Sequence, residues 1–315
     1  MSHVAIYYDP VFLRHDTGSH PENAHRLEAI VSNLKSAPFA DKLSWITPAP
    51  AEISDIELVH TSEYIRHIEN EIKSGAQYLD ADTVVCPMSW DAALMATGAV
   101  VDAVRSSVED EHIKAFCAVR PPGHHAEADK AMGFCLFNNV AIGARYATSR
   151  LGLGKVAIID FDVHHGNGTQ NAFYNDPSVY YISTHQEYHY PGTGLANETG
   201  ASNATGTNMN IPMHADDSDE EFLSQFDEHI IPTLRKFSPE IIMVSAGFDA
   251  HVDDPLAGLS LTEEGYAGMT RRLCDLADEV CGGRLVSALE GGYDPRALAK
   301  SVEAHVGEML KYSIG

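Results

Sequence analysis

Apolar residues along this chain fall into short unbroken runs separated by longer stretches with a helical period. The segments HVAIYYD (3–9), KAFCAVR (114–120), KVAIIDFD (155–162), SVYYIST (178–184), EIIMVSAG (240–247) and RLVSALEGG (284–292) read as strands. Between them, residues 91–110, 138–150, 220–237, 262–280 and 295–312 read as helices. Strands that stay apolar at consecutive positions do not alternate towards water. They predict a parallel sheet covered by helices on both faces. Neither a linker nor an internal repeat interrupts the pattern, so it predicts one domain over residues 1–315. The Gly/Asn/Thr-rich segment 191–210 reads as a long surface loop.

Composition narrows the class. The chain holds 45 acidic and 21 basic residues, a net charge of −24, which excludes the basic footprint of direct nucleic-acid binding. Such a surface is either simply solvated or attracts a cationic substrate. The five cysteines include no CxxC pair and are odd in number. That argues against a disulfide scaffold or zinc knuckle and for buried, reduced thiols. No apolar run approaches the roughly 18–20 residues that span a bilayer. The opening MSHVAIYYDP lacks the basic and apolar regions of a signal peptide. A cytoplasmic protein without a membrane partner is expected, and a homo-oligomer is left open.

The chemistry gathers at the strand tails: RPPGHHAE (120–127), DFDVHHGNG (160–168), STHQEYHYPGTG (183–194), SAGFDAHVDDP (245–255) and LEGGYD (289–294). In open α/β sheets ligands bind at the carboxyl ends of the strands. One polar residue there is unremarkable; five such tails together are not explained by packing. Side chains alternate along a strand, so Asp160, Asp162 and His164 share a side if the strand persists, while His165 points away. Asp162 and His164 are spaced to hold one metal ion, and Asp249 is the leading third ligand. Such an N/O set with open positions suits catalytic Zn²⁺ or Fe²⁺. His124 and His125 are either further ligands or acid/base groups, with Asp160 and Asn167 as candidate partners. Tyr293, after two glycines, offers a phenol to an oxygen that gains negative charge.

Taken in order, HPENAHRLEAI (20–30), RPPGHHAE, GFCLFNNVAIGARYA (133–147), DFDVHHGNGTQ, SAGFDAHVDDPLAG (245–258) and LEGGYD resemble the histone deacetylase/acetylpolyamine amidohydrolase superfamily. The likeness is greatest to its class II and bacterial members and runs from about residue 5 to about residue 310. It implies an arginase/deacetylase fold, three α/β/α layers around a mostly parallel sheet of about eight strands. It implies Zn²⁺ on Asp162, His164 and Asp249, with Fe²⁺ as the alternative. His125 would be the main acid/base group, His124 an electrostatic one held by Asp160, and Tyr293 would polarise the scissile carbonyl. Phe134 and Tyr190 match the walls that grip an acyl-lysine stem, with Gly133 beside them; Tyr190 stands where phenylalanine is usual. Asp82 (or Asp80) matches a rim aspartate, Arg26 an arginine of the inner acetate channel, and Leu256 a position where one polyamine-selective relative carries a glutamate. Asn167 stands where class I carries aspartate.

The resemblance also implies structural K⁺. Asp160, Asp162, His164, Ser183 and Thr184 match one such site; Phe173, Asp176 and Val179 partly match another. The expected activity is hydrolysis of acetyl-lysine side chains or of a broad range of acyl-amides, releasing acetate. Acetylpolyamine hydrolysis is the nearest alternative. A dimanganese ureohydrolase, suggested by DAHVD (249–253), and a non-catalytic acyl-lysine reader are more distant ones.

Overall fold

The computed structural model describes residues 4–109 and 114–312. Its strands are β1 (Val4–Tyr7), β2 (Leu43–Ile46), β3 (Lys114–Cys117), β4 (Val156–Asp160), β5 (Val179–Gln186), β6 (Asn208–Met213), β7 (Ile241–Ala246) and β8 (Leu285–Leu289). They form one sheet in the order β2-β1-β3-β8-β7-β4-β5-β6, and every pairing is parallel. All residues of β1, β3, β4, β7 and β8 are buried. Because neighbours in a strand point to opposite faces, both faces of the sheet's centre are covered. Ile158 and Ile159, on opposite faces of β4, are each fully buried; such burial contributes about 1.5–3 kcal/mol per side chain.

The six predicted strands are present, with ends shifted by up to three residues. The two edges, β2 and β6, lie outside the predicted runs. β6 corrects the reading of 191–210 as loop throughout, because residues 208–210 pair with β5. Its Asn208, Asn210 and Pro212 carry no strand signature. Here the asparagines are buried and bonded to Gln170 Oε1, at 3.0 and 2.7 Å.

The helices are α1 (Ala24–Ser36), α2 (Ile53–Ile56), α3 (Ser62–Ser74), α4 (Ser89–Glu109), α5 (Asn139–Ser149), α6 (Asn167–Phe173), α7 (Asp219–Gln225), α8 (Ile231–Phe237), α9 (Glu263–Val280) and α10 (Pro295–Lys311). The first helix read from the sequence ended at residue 110, which lies outside the described residues. α1 and α9 each pack on α10, α4 packs on α5, and each group touches central strands. The stretch read as one helix over 220–237 is instead α7, a π-turn at Phe226–Ile230 and α8. Pro232 accounts for the break: it has no N–H to continue the helical ladder.

Strand order places the site. The chain builds outward from β1 to β2 on one side and from β4 through β5 to β6 on the other. β7 and β8 then return to fill the gap between β4 and β3. The carboxyl ends of β3, β8, β7 and β4 therefore lie side by side where the order reverses, the position at which such sheets bind ligands.

Candidate active site and metal centre

β4 ends at Asp160, so Asp162 and His164 stand on irregular chain just beyond it. Aspartates shape that chain. Asp160 Oδ1 accepts from Asp162 N–H (3.2 Å), Asp162 Oδ1 from His164 N–H (2.9 Å), and Asp249 Oδ1, beyond β7, from Val163 N–H (2.9 Å). Asp162, His164 and Asp249 each turn one ligand atom to a common point, all within 4.8 Å of one another. His164 Nδ1 lies 3.0 Å from Asp162 Oδ1 and 3.3 Å from Asp249 Oδ2. Asp249 Oδ2 is buried without a well-aligned hydrogen bond among the described residues. Gly291 closes the other side: a Cβ there would sit 1.9 Å from Asp249 Oδ2 and 2.6 Å from Asp162 Oδ2.

Two buried carboxylates crowded with one imidazole fit a divalent cation. Burial disfavours a charged His164, but the bonds to Asp162 and Asp249 outweigh it and raise its pKa to about 10. Burial and the Asp162 charge raise the Asp249 carboxyl. A cation at this point therefore competes with protons.

The tandem histidines follow β3 and receive separate partners. His124 Nδ1 lies 3.0 Å from Asp160 Oδ2, which also accepts from the Tyr181 hydroxyl at 3.0 Å. Burial works against its charge, yet Asp162 and Asp160 outweigh burial and hold its pKa well above the usual value. His125 Nδ1 meets Asn167 Oδ1 at 2.8 Å, and Asn167 Nδ2 donates to Glu127 Oε1 at 2.5 Å. That second bond orients the amide, so its oxygen accepts from His125 Nδ1–H and leaves Nε2 with a lone pair. Burial, with the positive His124 and His164 beside it, holds the His125 pKa well below the usual value. Gly133, at φ 56°, lies against this ring; a Cβ would come within 2.3 Å of His125 Cδ2.

The residue that anchors the histidine loop is Glu290, which sequence reading left without a role. Its carboxylate accepts from Gly123 N–H (2.6 Å), His124 N–H (3.2 Å) and Ser245 Oγ (3.1 Å). Burial raises its pKa to about 7. Arg26, on α1, donates to the carbonyls of Glu290 (2.6 Å) and Gly292 (2.5 Å) and lies 4.8 Å from the Tyr293 ring. Glu22 holds Arg26 and the buried Arg120 together, the latter through both carboxylate oxygens. Burial pushes the Tyr293 phenol well up, so it stays a proton donor through neutral pH. Asp294 then caps α10, accepting from Arg296 and Ala297 N–H.

A cavity of about 220 Å³ opens beside these groups. His124, His125, His164 and Tyr293 face it together with Asp82, Gly133, Phe134, Tyr190 and Leu256, all read from the sequence. Pro122, His189 and Gly291 complete the wall and were missed. His189 stacks on His164 with centroids 5.0 Å apart and bonds through Nε2 to Leu256 O at 2.9 Å. Tyr190 stands edge-on to His125 at 5.1 Å and Phe134 edge-on to Tyr293 at 6.0 Å. Of the two rim candidates, Asp82 lines the pocket; Asp80 turns back to accept from Asp82 and Thr83 N–H. Arg26 lies behind Tyr293 rather than in the wall.

Other placements follow from partners. His165 lies between Thr193 Oγ1 (2.7 Å) and Gln170 Oε1 (3.0 Å), away from the ligand group. Ser183 pairs with Asp160 across β4 and β5, and the Thr184 hydroxyl is buried with no hydrogen-bond partner among the described residues. Phe173, Asp176 and Val179 are linked by backbone bonds, and Arg145 occupies the Asp176 carboxylate while lying 4.6 Å over the Phe173 ring. In DAHVD, His251 Nδ1 accepts from Asp253 N–H at 3.0 Å and Asp253 is exposed. Among the described residues, neither joins the Asp162–His164–Asp249 group.

Comparison with known proteins bears on the family and the fold. The histone deacetylase domain model matches residues 20–309. "Histone deacetylase 10, chloroplastic" of rice, Oryza sativa subsp. japonica, is 40% identical over 94% of this chain and 71% of its own length. A "Probable deacetylase" of Archaeoglobus fulgidus is 40% identical over 91% of this chain and 80% of its own. The crystal structure of the HDA15 HD domain superposes with a TM-score of 0.94 at 36% identity, covering 98% of this chain and 88% of that one. The fold is thus that of its deacetylase neighbour, and the class of enzyme supported is a deacetylase hydrolase. The chain belongs to the histone deacetylase family.

Proposed function

We propose that this chain is a zinc-dependent deacetylase acting on acetyl-lysine side chains or a broad range of acyl-amides, releasing acetate and a free amine. The observation that carries the reading is the buried Asp162–His164–Asp249 group beside a cavity whose other polar walls are His124, His125 and Tyr293. Asp162, His164 and Asp249 would hold Zn²⁺ (or Fe²⁺), which when bound polarises the acyl carbonyl and acidifies water. His125 Nε2 takes the proton of the attacking water and returns it to the leaving amine. His124, kept cationic by Asp160, contributes charge rather than a proton. The Tyr293 phenol donates to the developing oxyanion. Phe134 and Tyr190 grip the acyl-lysine stem, with Gly133 and Leu256 beside them. Asp82 meets the substrate backbone at the rim, and Arg26 serves the acetate side.

K⁺ on Asp160, Asp162, His164, Ser183 and Thr184 belongs to the proposal; the unpartnered Thr184 hydroxyl favours it. At Phe173, Asp176 and Val179 the guanidinium of Arg145 already supplies a cation to the carboxylate. Five free thiols, four of them buried, accord with a reducing cytoplasm. Among the described residues no helix is long and apolar enough to cross a membrane. Apolar Leu256 in the wall favours acyl-lysine over acetylpolyamines, whereas the net charge of −24 pulls towards a cationic substrate.

The test compares kcat/KM of the Zn²⁺-loaded chain on an acetyl-lysine peptide and on N-acetylputrescine. The peptide is expected to be the better substrate; a hundredfold preference for the polyamine reverses the assignment. Tyr293→Phe is expected to fold and keep its metal but to lose about 10²–10³ in kcat, the scale of one oxyanion donor.

A further inference from the structure

Asp254 lies five residues beyond Asp249 and outside the ligand group, yet it is only 6% exposed. Its two oxygens serve different segments. Oδ1 accepts from Leu256 N–H at 2.9 Å, closing a local turn; Oδ2 accepts from Tyr293 N–H at 2.7 Å, thirty-nine residues away. Leu256 in turn accepts His189 Nε2–H at its carbonyl. His189, Leu256 and Tyr293 all line the pocket and come from the ends of β5, β7 and β8. A row of hydrogen bonds thus joins three segments of the pocket wall, and Asp254 makes two of its links.

Tyr293 needs such a tie. It follows Gly291 and Gly292, the latter at φ 119°, so its direction depends on what holds this turn: Arg26 at the Gly292 carbonyl and Asp254 at the Tyr293 N–H. Arg26 supports the ring's face, and the N–H of Tyr293 is held by an Asp254 carboxyl oxygen at 2.7 Å. Carboxylate chemistry is specific here. Asparagine offers one acceptor and would turn an NH₂ towards one of the two N–H groups.

We propose that Asp254 is a positioning residue for the reaction: its carboxylate fixes the Tyr293 phenol relative to the Leu256 wall. The inference rests on the oxyanion role given to Tyr293 above. Misplacing a reacting group by about 1 Å can cost about a hundredfold in rate. Asp254 belongs neither to the pocket lining nor to the Asp162–His164–Asp249 group, and acts through Tyr293.

The experiment is a double-mutant cycle in the Zn²⁺-loaded full chain: Asp254→Asn, Tyr293→Phe, and both. Asp254→Asn is expected to keep its metal content and KM while kcat falls about ten- to a hundredfold. In the Tyr293→Phe background the same substitution should change kcat by less than about twofold, because the group it positions is gone. Asp254→Ser runs alongside in case the asparagine variant does not fold. Its hydroxyl can still close the turn to Leu256 N–H while releasing Tyr293, and the same coupling is expected. Unchanged kcat in either folded variant, or equal losses in both backgrounds, overturns the inference. A Tyr293→Phe variant with full turnover overturns the oxyanion role and the inference with it. A normal Tyr293→Phe deficit with additive Asp254 losses overturns the inference alone.

Discussion

Two histidine pairs of the same sequence, His124–His125 and His164–His165, have their pKa values shifted in opposite directions within each pair. In both, the first histidine meets carboxylates and its pKa is raised: His124 against Asp160 and Asp162, His164 against Asp162 and Asp249. In both, the second meets neutral partners and its pKa is lowered: His125 against Asn167, and His165, down to about 3, against Gln170 and Thr193. Burial is nearly equal throughout and opposes charge on all four. The neighbouring oxygen decides: a carboxylate at about 3 Å outweighs desolvation, and an amide or hydroxyl does not. What separates the pairs is then position. His125 faces the cavity, where the proposed reading gives it the proton transfer, whereas His165 bonds Thr193 and Gln170 away from it.

The comparison breaks first at the pair members nearest the metal centre. His164→Ala is expected to lose bound metal and with it all activity, measured by metal analysis beside turnover. His125→Ala should keep one metal per chain and lose about 10²–10⁴ in kcat, the range of a general acid/base group. Equal metal loss in both variants would make His125 a ligand.

Exchanging the neutral partner tests the rule itself. Asn167→Asp places a carboxylate on His125 and should raise its pKa. His125 works as a base only when unprotonated, so the acidic limb of the kcat/KM–pH profile should move to higher pH. The new charge also faces Glu127, which Asn167 contacts at 2.5 Å. Combining Asn167→Asp with Glu127→Gln is therefore expected to give the clearer shift. An unmoved limb would separate His125 from that titration.

The smallest effect belongs to His165. His165→Ala strips Thr193 and Gln170 of a partner, costing about 1–3 kcal/mol and several degrees of Tm, with turnover nearly unchanged. A loss in kcat like that of His125→Ala would erase the functional difference between the pairs.

Much of this was legible in the sequence where chemistry and strand ends coincide. The buried central strands are apolar at nearly every position, and the Asp162–His164–Asp249 group, the tandem histidines and Tyr293 lie on the tails that follow them. The edges were not legible: β2 and β6 are half-exposed, and β6 is built from buried asparagines whose partners come from α6. α1 and α3 were passed over, although Leu27, Ile30, Val31, Leu34 and Tyr64, Ile65, Ile68, Ile72 mark buried helical stripes. Glu290, Glu127 and Asp254 escaped for another reason. A single acidic residue has no periodicity, and each takes its role from backbone N–H or amide groups of distant segments. His189 could have been found, since it adjoins Tyr190 in the tail that already stood out.

The insertion of β8 between β3 and β7 has a consequence for synthesis. The ribosome releases β3 and β7 well before residues 285–293, so the two halves of the sheet wait for a strand that arrives late. That strand brings Gly291 to the ligand carboxylates, Glu290 to the histidine loop, and the phenol of Tyr293. Closing contacts so distant in sequence is slow. A nascent chain that lacks this last strand also lacks Gly291 and Tyr293, so its pocket has no wall on that side.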